Sequence, residues 1–341
     1  MTDLRHGPIA VLTTAHAIFE RTRVTVAPRL RSTVDKLPGG VRDIAGYHFG
    51  WCDERGAPAA ATPGKMLRPA LTLLCAEAVG AHATQAIEPA VAVELVHNFS
   101  LVHDDVMDGD ALRRSRPTVW SVFGVPMAIL TGDALVVLAM EVLADTPSSA
   151  TKLAVAMREL IEGQFLDLSF ERLATVGLDA CLAMAGGKTA ALLRCACELG
   201  AAHGGGSPSA VNALGRFGWH LGLAFQLVDD LLGIWGDPAV TGKPVLADLV
   251  AGKKSLPVAA ALASGGRGAE QLAELAAAPP EHRDVLAMAA LIERLGGRSW
   301  AHSVAEAQVH TALACLDEAG VAPAARDDLI ALATLVTERD R

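Results

Sequence analysis

The sequence predicts an all-α protein, and three observations point there. Of its 341 residues, 51% are hydrophobic but only 4% aromatic. Alanine and leucine make up much of that apolar share, and runs of β-branched residues are short and few, which favours helix over strand. Apolar positions recur three and four apart over long stretches, and no alternating series of strand type appears.

Taken in order, residues 8 to 36 read as one amphipathic helix or two. "LPGG" at 37 to 40 and "RGAPAAATPGK" at 55 to 65 read as breakers and loop. Helical patterns run from about Arg68 to residue 200. "AAHGGGSPSA" at 201 to 210 is a turn-rich connection, and helix resumes to about Ile234. "WGDPAVTGKPVLADLVAGKKSLP" reads as a long ordered loop, too rich in Gly, Pro and Lys for helix. "ASGGRG" and "AAAPPEHR" punctuate a C-terminal third of short helices. No internal repeat or interdomain linker stands out, so residues 1–341 are expected to form one domain.

The formal net charge of -9 argues against a nucleic-acid binder, which would carry a basic face. The six cysteines are scattered through apolar stretches, as small core residues in a reducing compartment would be. No signal peptide is evident, and no uncharged apolar run reaches membrane-span length without Gly or Pro. These features lead to the expectation of a cytoplasmic protein with no integral membrane segment.

The chemistry concentrates in "ELVHNFSLVHDDVMDGDALRRSRPT", residues 94 to 118. On a helix, Glu94, His97, Leu101, Asp104 and Asp108 follow 3-4-3-4 spacing and share a face, with Ser100 beside it. Like charges one turn apart repel, and a helix C-terminus adds partial negative charge. Asp104, Asp105 and Asp108 therefore call for a cation. Hard oxygen ligands suit magnesium, which shares its shell with water and phosphate. A solvated acidic helix end, neutralised by Arg113 and Arg114, is the plainer alternative.

"GLAFQLVDDLLGIWGDPAVTGK", residues 222 to 243, repeats the logic. Gln226, Asp229, Gly233 and Asp237 follow 3-4-4 spacing, with Asp230 adjacent, and Lys243, Lys253 and Lys254 come after. If the two carboxylate ends face each other, they can hold a magnesium cluster around one diphosphate. Earlier, "GKMLRP" places Lys65 and Arg68 three apart. With His97 these can form a second, metal-free diphosphate site. A satisfied core histidine is the alternative for His97, and His103 falls off the stripe as a structural residue.

At these residues the chain resembles the trans-isoprenyl diphosphate synthases, the short-chain polyprenyl synthetase family, and most of all its geranylgeranyl and farnesyl diphosphate synthases. The resemblance runs through "GKMLRP", "HNFSLVHDDVMDGDALRRSRPT", "GQFLDL", "GGKTA", "FQLVDDLLGIWGDP", "TGK" and "GKKSLP", all in order. It implies an isoprenoid synthase-type helical bundle around a deep central cavity, usually as a homodimer. It implies that Asp104, Asp105 and Asp108 bind magnesium, and that Asp229 binds another, with Asp230 beside it. Three magnesium ions per active site are expected, with manganese as a substitute. Arg113, Lys188 and Lys243 would grip the allylic diphosphate, with Thr189 and Gln226 nearby and Lys253 closing over it. Lys65, Arg68, His97 and Arg114 would bind isopentenyl diphosphate. Asp104, Asp105, Lys188 and Asp229 would carry the catalysis.

The implied reaction joins isopentenyl diphosphate head-to-tail to an allylic diphosphate (dimethylallyl, geranyl or farnesyl). Phe99, about 7.5 Å down the helix axis from Asp104 at helical rise, with small Ser100 beside it, would set chain length. The helix carrying Val136 and Met140 is the alternative floor. By resemblance, this arrangement implies mainly the twenty-carbon geranylgeranyl product, with the fifteen-carbon farnesyl product as the alternative. One position departs from the pattern. The second motif is often written Asp-Asp-x-x-Asp, and its fifth position here is Gly233. Asp229, Gly233 and Asp237 are also similar to a metal motif of class I terpene cyclases, an alternative reading that leaves Lys65, Arg68, His97 and Arg114 without a purpose. A regulatory subunit of a heteromeric synthase is the non-enzyme alternative; such subunits typically lack the aspartate motifs.

Overall fold

A computed structural model describes residues 8–59, 64–238 and 244–337. The described chain is helical almost throughout. Its contacts divide it into two compact units. One holds the described residues of Met1–Ala154, Cys195–Val211 and Val321–Asp328; the other those of Val155–Arg194, Asn212–Gly320 and Leu329–Arg341.

The first unit opens with α1 (Pro8–Val34) and α2 (Gly39–His48). α2 starts inside the stretch expected to break structure. Pro38 at the preceding position has a fixed φ of -54° and suits a helix start, so Gly39 and Gly40 become its first turn. α3 (Leu67–Ala78) and α4 (Ile87–Met107) follow. α4 buries Val91, Val93, Leu95, Val96 and Val102 on several sides, as the central helix of a bundle must. α1 and α3 pack on it, and so does α6 (Val125–Val142). Arg29 of α1 pins α4's first turn through a two-pronged bond to Glu88, at 2.8 and 3.0 Å.

Between α4 and α6 lie the short helix α5 (Val119–Phe123) and, unforeseen in the sequence, a hairpin pairing Leu112–Arg113 with Arg116–Pro117. Its two turn residues, Arg114 and Ser115, have φ of 52° and 62°. Tight hairpins need this left-handed backbone and usually fill it with Asn or Gly. Arg-Ser here stores strain on the order of 1–3 kcal/mol per residue. Arg116 clamps the hairpin to α2, bonding to Tyr47 O at 3.1 Å and lying 4.5 Å over the Tyr47 ring.

The second unit contains the larger part of α7 (Pro147–Phe170), α8 (Leu178–Ala185), a π-helical turn at Gly186–Ala190, the start of α9 (Ala191–His203) and the larger part of α10 (Pro208–Trp235). Leu227, Val228 and Leu231 of α10 bury against Cys181, Met184 and Leu256. The segment after Trp235 is not wholly loop: Ala247–Ala251 forms a short helix, and Leu256–Ala263 begins another with Pro257 in its first turn, where proline is tolerated. The C-terminal helices are also longer than expected, with Gly297–Ala319 running 23 residues.

Val125–Val142 and Leu178–His203 are long and apolar enough by length and composition to cross a membrane. Both are interrupted, by Gly132 and Asp133 in one and by Gly186, Gly187 and Lys188 in the other, and the second is mostly buried within the fold. α6 leaves Val125, Met127, Ile129, Leu130 and Val137 exposed.

Candidate active site

In the first unit, α4 carries the stripe that the sequence predicts. Glu94 is buried, His97, Ser100 and Asp104 are half-buried, and Asp108 is exposed just past the helix end, where its N–H bonds to Asp104 O at 2.8 Å. The stripe thus runs from interior to solvent. Asp105 leaves it: only 1% exposed, it accepts a 2.7 Å bond from Arg113 Nε. Burial pushes the Asp105 carboxyl up to about 6, against the pull of Arg113. Arg113 is thus engaged with the first acidic cluster.

Below the aspartates lies a buried charged group. Glu94 Oε1 accepts from Asn98 Nδ2 at 3.1 Å, while Glu94 Oε2 is buried with no hydrogen-bond partner. Arg68 Nε is likewise buried and without one. Burial lowers Arg68 to about 10, partly offset by the attraction of Glu94, so the guanidinium stays charged at neutral pH. Burial also raises Glu94, against its bond to Asn98 and the charges of Arg68 and Arg114. His97 is held well below its ordinary value, first by burial and then by Arg68, Arg114 and Arg113. It is a neutral imidazole, able to donate one hydrogen bond and accept another without adding charge.

Two strained residues aim these cations. Met66, between Lys65 and Arg68, has a left-handed φ of 54° at the start of α3. Arg114 sits at the hairpin tip, its guanidinium resting against Gly64. The turn thereby brings Arg114 to the segment that carries Lys65 and Arg68. A small pocket of about 40 Å³ in this unit is lined by His48, Asp105, Arg113, Arg114 and Arg116 among others. Its lining carries more positive than negative charge, which suits an anion.

His48 is a residue the sequence reading missed. It bonds to Asn98 Oδ1 at 3.0 Å, and burial pushes it down to about 3. Asn98 therefore links His48 to Glu94, and nothing in the local pattern around "GYHFG" signals this. Phe99 is buried, with His103 edge-on at 5.2 Å. His103 also pairs with Ile129 O at 3.1 Å, and Ser100 bonds back to His97 O at 2.8 Å.

In the second unit, Lys188 sits in the π-helical turn. A Cβ at Gly163 would overlap its backbone nitrogen, so glycine lets the helix carrying "GQFLDL" come close. Lys188 Nζ then reaches Asp167 at 2.5 Å. Asp167 lies within that segment, and nothing in its local sequence signals the pairing with Lys188. Thr189 bonds to Gln226 Oε1 at 2.6 Å, and Gln226 Nε2 to Asp230 Oδ1 at 2.8 Å. Leu256 N donates to Asp230 Oδ2 at 2.8 Å. Asp230 is buried, and burial pushes it up to about 7, opposed by those two bonds and helped by Asp248 and Asp229. With both its oxygens accepting hydrogen bonds, Asp230 anchors the start of the Leu256 helix. Its neighbour Asp229 is exposed, as is Asp237 two turns on. Lys253 lies 3.9 Å from Asp248. Lys243 lies outside the described residues.

Among the described residues no three His, Cys, Asp or Glu side chains form a metal-binding group by themselves. Asp104 and Asp108 in the first unit, and Asp229 in the second, are carboxylates at helix ends with exposure enough to reach a ligand. Within each unit such donors fit magnesium, which typically takes one or two carboxylates and completes its shell with water and substrate phosphates.

The polyprenyl synthetase family model matches residues 51–292. A (2E,6E)-farnesyl diphosphate synthase of Mycobacterium tuberculosis is 47% identical over 324 residues, 92% of this chain and 90% of that protein. A geranylgeranyl diphosphate synthase of the same organism is 44% identical over 332 residues, 95% of this chain and 94% of that one. The crystal structure of a polyprenyl synthetase from Streptomyces coelicolor A3(2) superposes with a TM-score of 0.88 at 47% identity, covering 94% of this chain and 98% of its own. The all-α fold, the ordered motifs and the matched length together make this chain a member of the polyprenyl synthetase family.

Proposed function

We propose that this chain is a magnesium-dependent trans-prenyltransferase that joins isopentenyl diphosphate head-to-tail to allylic diphosphates, giving mainly the twenty-carbon geranylgeranyl product. Relatives of nearly equal similarity make farnesyl and geranylgeranyl diphosphate, which supports elongation and leaves the fifteen-carbon product as the second reading.

The observation that carries the proposal is the cationic group of the first unit around the buried Arg68 Nε. Arg68 stays charged inside the protein with an unsatisfied Nε, beside Arg114 and neutral His97. A diphosphate would satisfy those donors without metal. Such a site is useless to a cyclase, which takes a single allylic substrate, and the presence of both carboxylate helix ends speaks against a regulatory subunit.

In this reading Lys65, Arg68, His97 and Arg114 hold isopentenyl diphosphate and orient its double bond. Asp104 and Asp108 would hold magnesium and Asp229 another, and the metal would supply electrophilic stabilisation of a departing allylic diphosphate. Lys188, Lys243 and Lys253 add charge to that leaving group, with Thr189 and Gln226 as polar contacts. Asp105 and Asp230 keep Arg113 and the Leu256 helix in position. Apolar side chains shield the allylic cation from water, and the proton lost on coupling goes to the released diphosphate. Three magnesium ions, with manganese as a substitute, complete the reading, and Phe99 with Ser100 sets the length. The exposed apolar side chains of α6 suit a homodimer, since such patches are rarely left to water. A cytoplasmic setting fits water-soluble diphosphate substrates.

Incubation with radiolabelled isopentenyl diphosphate and each allylic primer, followed by dephosphorylation and sizing, tests it. A C20 alcohol that disappears with chelator is expected. Cyclised product from geranylgeranyl diphosphate alone would reverse the reading.

A further inference from the structure

Glu94, only 7% exposed, lies at the inner end of the α4 stripe, and no step of the reaction above calls on it. Its surroundings are built. Asn98, one turn on and also buried, donates from Nδ2 to Glu94 O at 2.8 Å and to Glu94 Oε1 at 3.1 Å. Both partners are acceptors, which fixes the amide: Oδ1 faces His48 and accepts from His48 Nε2 at 3.0 Å. His48 therefore carries its proton on Nε2. The three residues form a chain from α2 to α4, each link running from donor to acceptor, and the chain orients a single carboxylate.

What that carboxylate faces decides its role. Its second oxygen, Oε2, is buried with no hydrogen-bond partner, and so is Arg68 Nε on α3, the helix packed against α4. Glu94 is the carboxylate whose charge attracts Arg68, and on Arg114 its attraction is stronger than that of Asp105. A buried cation needs such a counter-charge to stay in the interior. Because Arg68 Nε and Glu94 Oε2 are not bonded to each other, the attraction holds the guanidinium in place and leaves that donor open to a phosphate oxygen.

We propose that Glu94 is a positioning residue of the isopentenyl diphosphate site: tethered through Asn98 to His48, its carboxylate holds Arg68 and Arg114 in place for the diphosphate. The inference rests on the reading of that site given above. It gives His48 and Asn98 a part in binding that they exert through Glu94. It also requires charge and not only shape, since glutamine at 94 keeps an acceptor for Asn98 and loses the hold on the two arginines.

The test is a double-mutant cycle, read by calorimetric titration of isopentenyl diphosphate into the full-length protein with chelator present. Glu94→Gln should weaken binding by about tenfold, and Asn98→Ala by about threefold. In an Arg68→Ala background the loss from Glu94→Gln should fall below about threefold, because Glu94 acts largely through Arg68. Adding Asn98→Ala to Glu94→Gln should weaken binding no further. In turnover assays the KM for the allylic primer should stay at its wild-type value in both single variants, whereas a general loosening of the fold would move it too. Wild type that does not bind without metal, or binding that Arg68→Ala leaves untouched, would overturn the reading of the diphosphate site itself. Wild-type binding as expected, with Glu94→Gln unchanged, tighter than wild type or fully additive with Arg68→Ala, would overturn only this inference, since the carboxylate would then merely pack or repel the ligand. Should Glu94→Gln not fold, Asn98→Ala carries the same cycle, and its full additivity with Arg68→Ala would sink the inference.

Discussion

Arg113 Nε stands 2.7 Å from Asp105 Oδ1, and the carboxylate it meets is 1% exposed. The pair turns one of the three clustered aspartates away from solvent and fixes the hairpin to the end of α4. Removing Arg113 leaves a buried charge without its partner. Arg113→Ala should cost about 3 kcal/mol of stability at pH 8, measured by urea unfolding. Asp105 is raised to about 6, from an ordinary 3.8. A raised carboxyl is neutral in both states at low pH; its penalty builds as pH rises from 3.8 and is complete above about 6, and without Arg113 the folded value rises further and the penalty keeps growing. The Arg113→Ala deficit should therefore shrink toward pH 4.5 and grow above pH 6. A deficit independent of pH would remove the ion pair from the account.

His48 gives the opposite sign. Its ordinary value is 6.5 and burial depresses it to about 3. A depressed histidine costs nothing above pH 6.5, and the protein loses stability as pH falls from 6.5 toward 3. At pH 5 the loss from this one residue is about 2 kcal/mol. Wild type should thus lose stability between pH 8 and pH 5 by about that much more than His48→Gln. Equal losses in the two proteins would mean that His48 charges freely in the fold.

Phe99 sits in the interior of α4, edge-on to His103 at 5.2 Å. Phe99→Ala should cost about 3–5 kcal/mol as a cavity opens, and should lengthen products by one or more prenyl units while leaving magnesium dependence intact. Unchanged product length in a folded, active variant would move the floor to another helix, such as the one bearing Val136 and Met140.

Asp104 and Asp229 are the carboxylates at the two helix ends that the proposal gives to metal. Asp104→Ala or Asp229→Ala should lower kcat/KM about 1000-fold, roughly 4 kcal/mol of transition-state stabilisation, with helical circular dichroism unchanged. Turnover at the wild-type rate in either variant would take that residue out of the metal site.

The helix faces were legible because they are periodic. Spacing alone put Glu94, His97, Asp104 and Asp108 on one stripe, and α4 carries it from interior to solvent. Asp105 and Asp230 read like their neighbours, and although Arg113 stood out as a counter-charge to the first cluster, nothing local said that Asp105 is the carboxylate it turns inward, or that the Leu256 backbone does the same to Asp230. Such pairings depend on tertiary contact and leave no local signal. The same holds for His48 on Asn98, and for Asp248 over Gly233. The stretch after Trp235 misled because Gly, Pro and Lys disfavour helix on average. A five-residue helix with left-handed residues at both flanks, Leu246 and Gly252, needs little propensity. The hairpin was hidden because Arg-Ser is a poor tight turn, held by the clamp of Arg116 on Tyr47.

The account turns on whether the clustered cations of the first unit hold a second diphosphate. Calorimetric titration of isopentenyl diphosphate into the protein, in the presence of chelator, measures that directly. Saturable binding without metal is expected, weakened at least tenfold by Arg68→Ala, at about 1.4 kcal/mol per decade, and weakened also by His97→Ala. Binding that requires magnesium, or that Arg68→Ala leaves untouched, would contradict the assignment of Lys65, Arg68, His97 and Arg114 and the elongation reaction built on it.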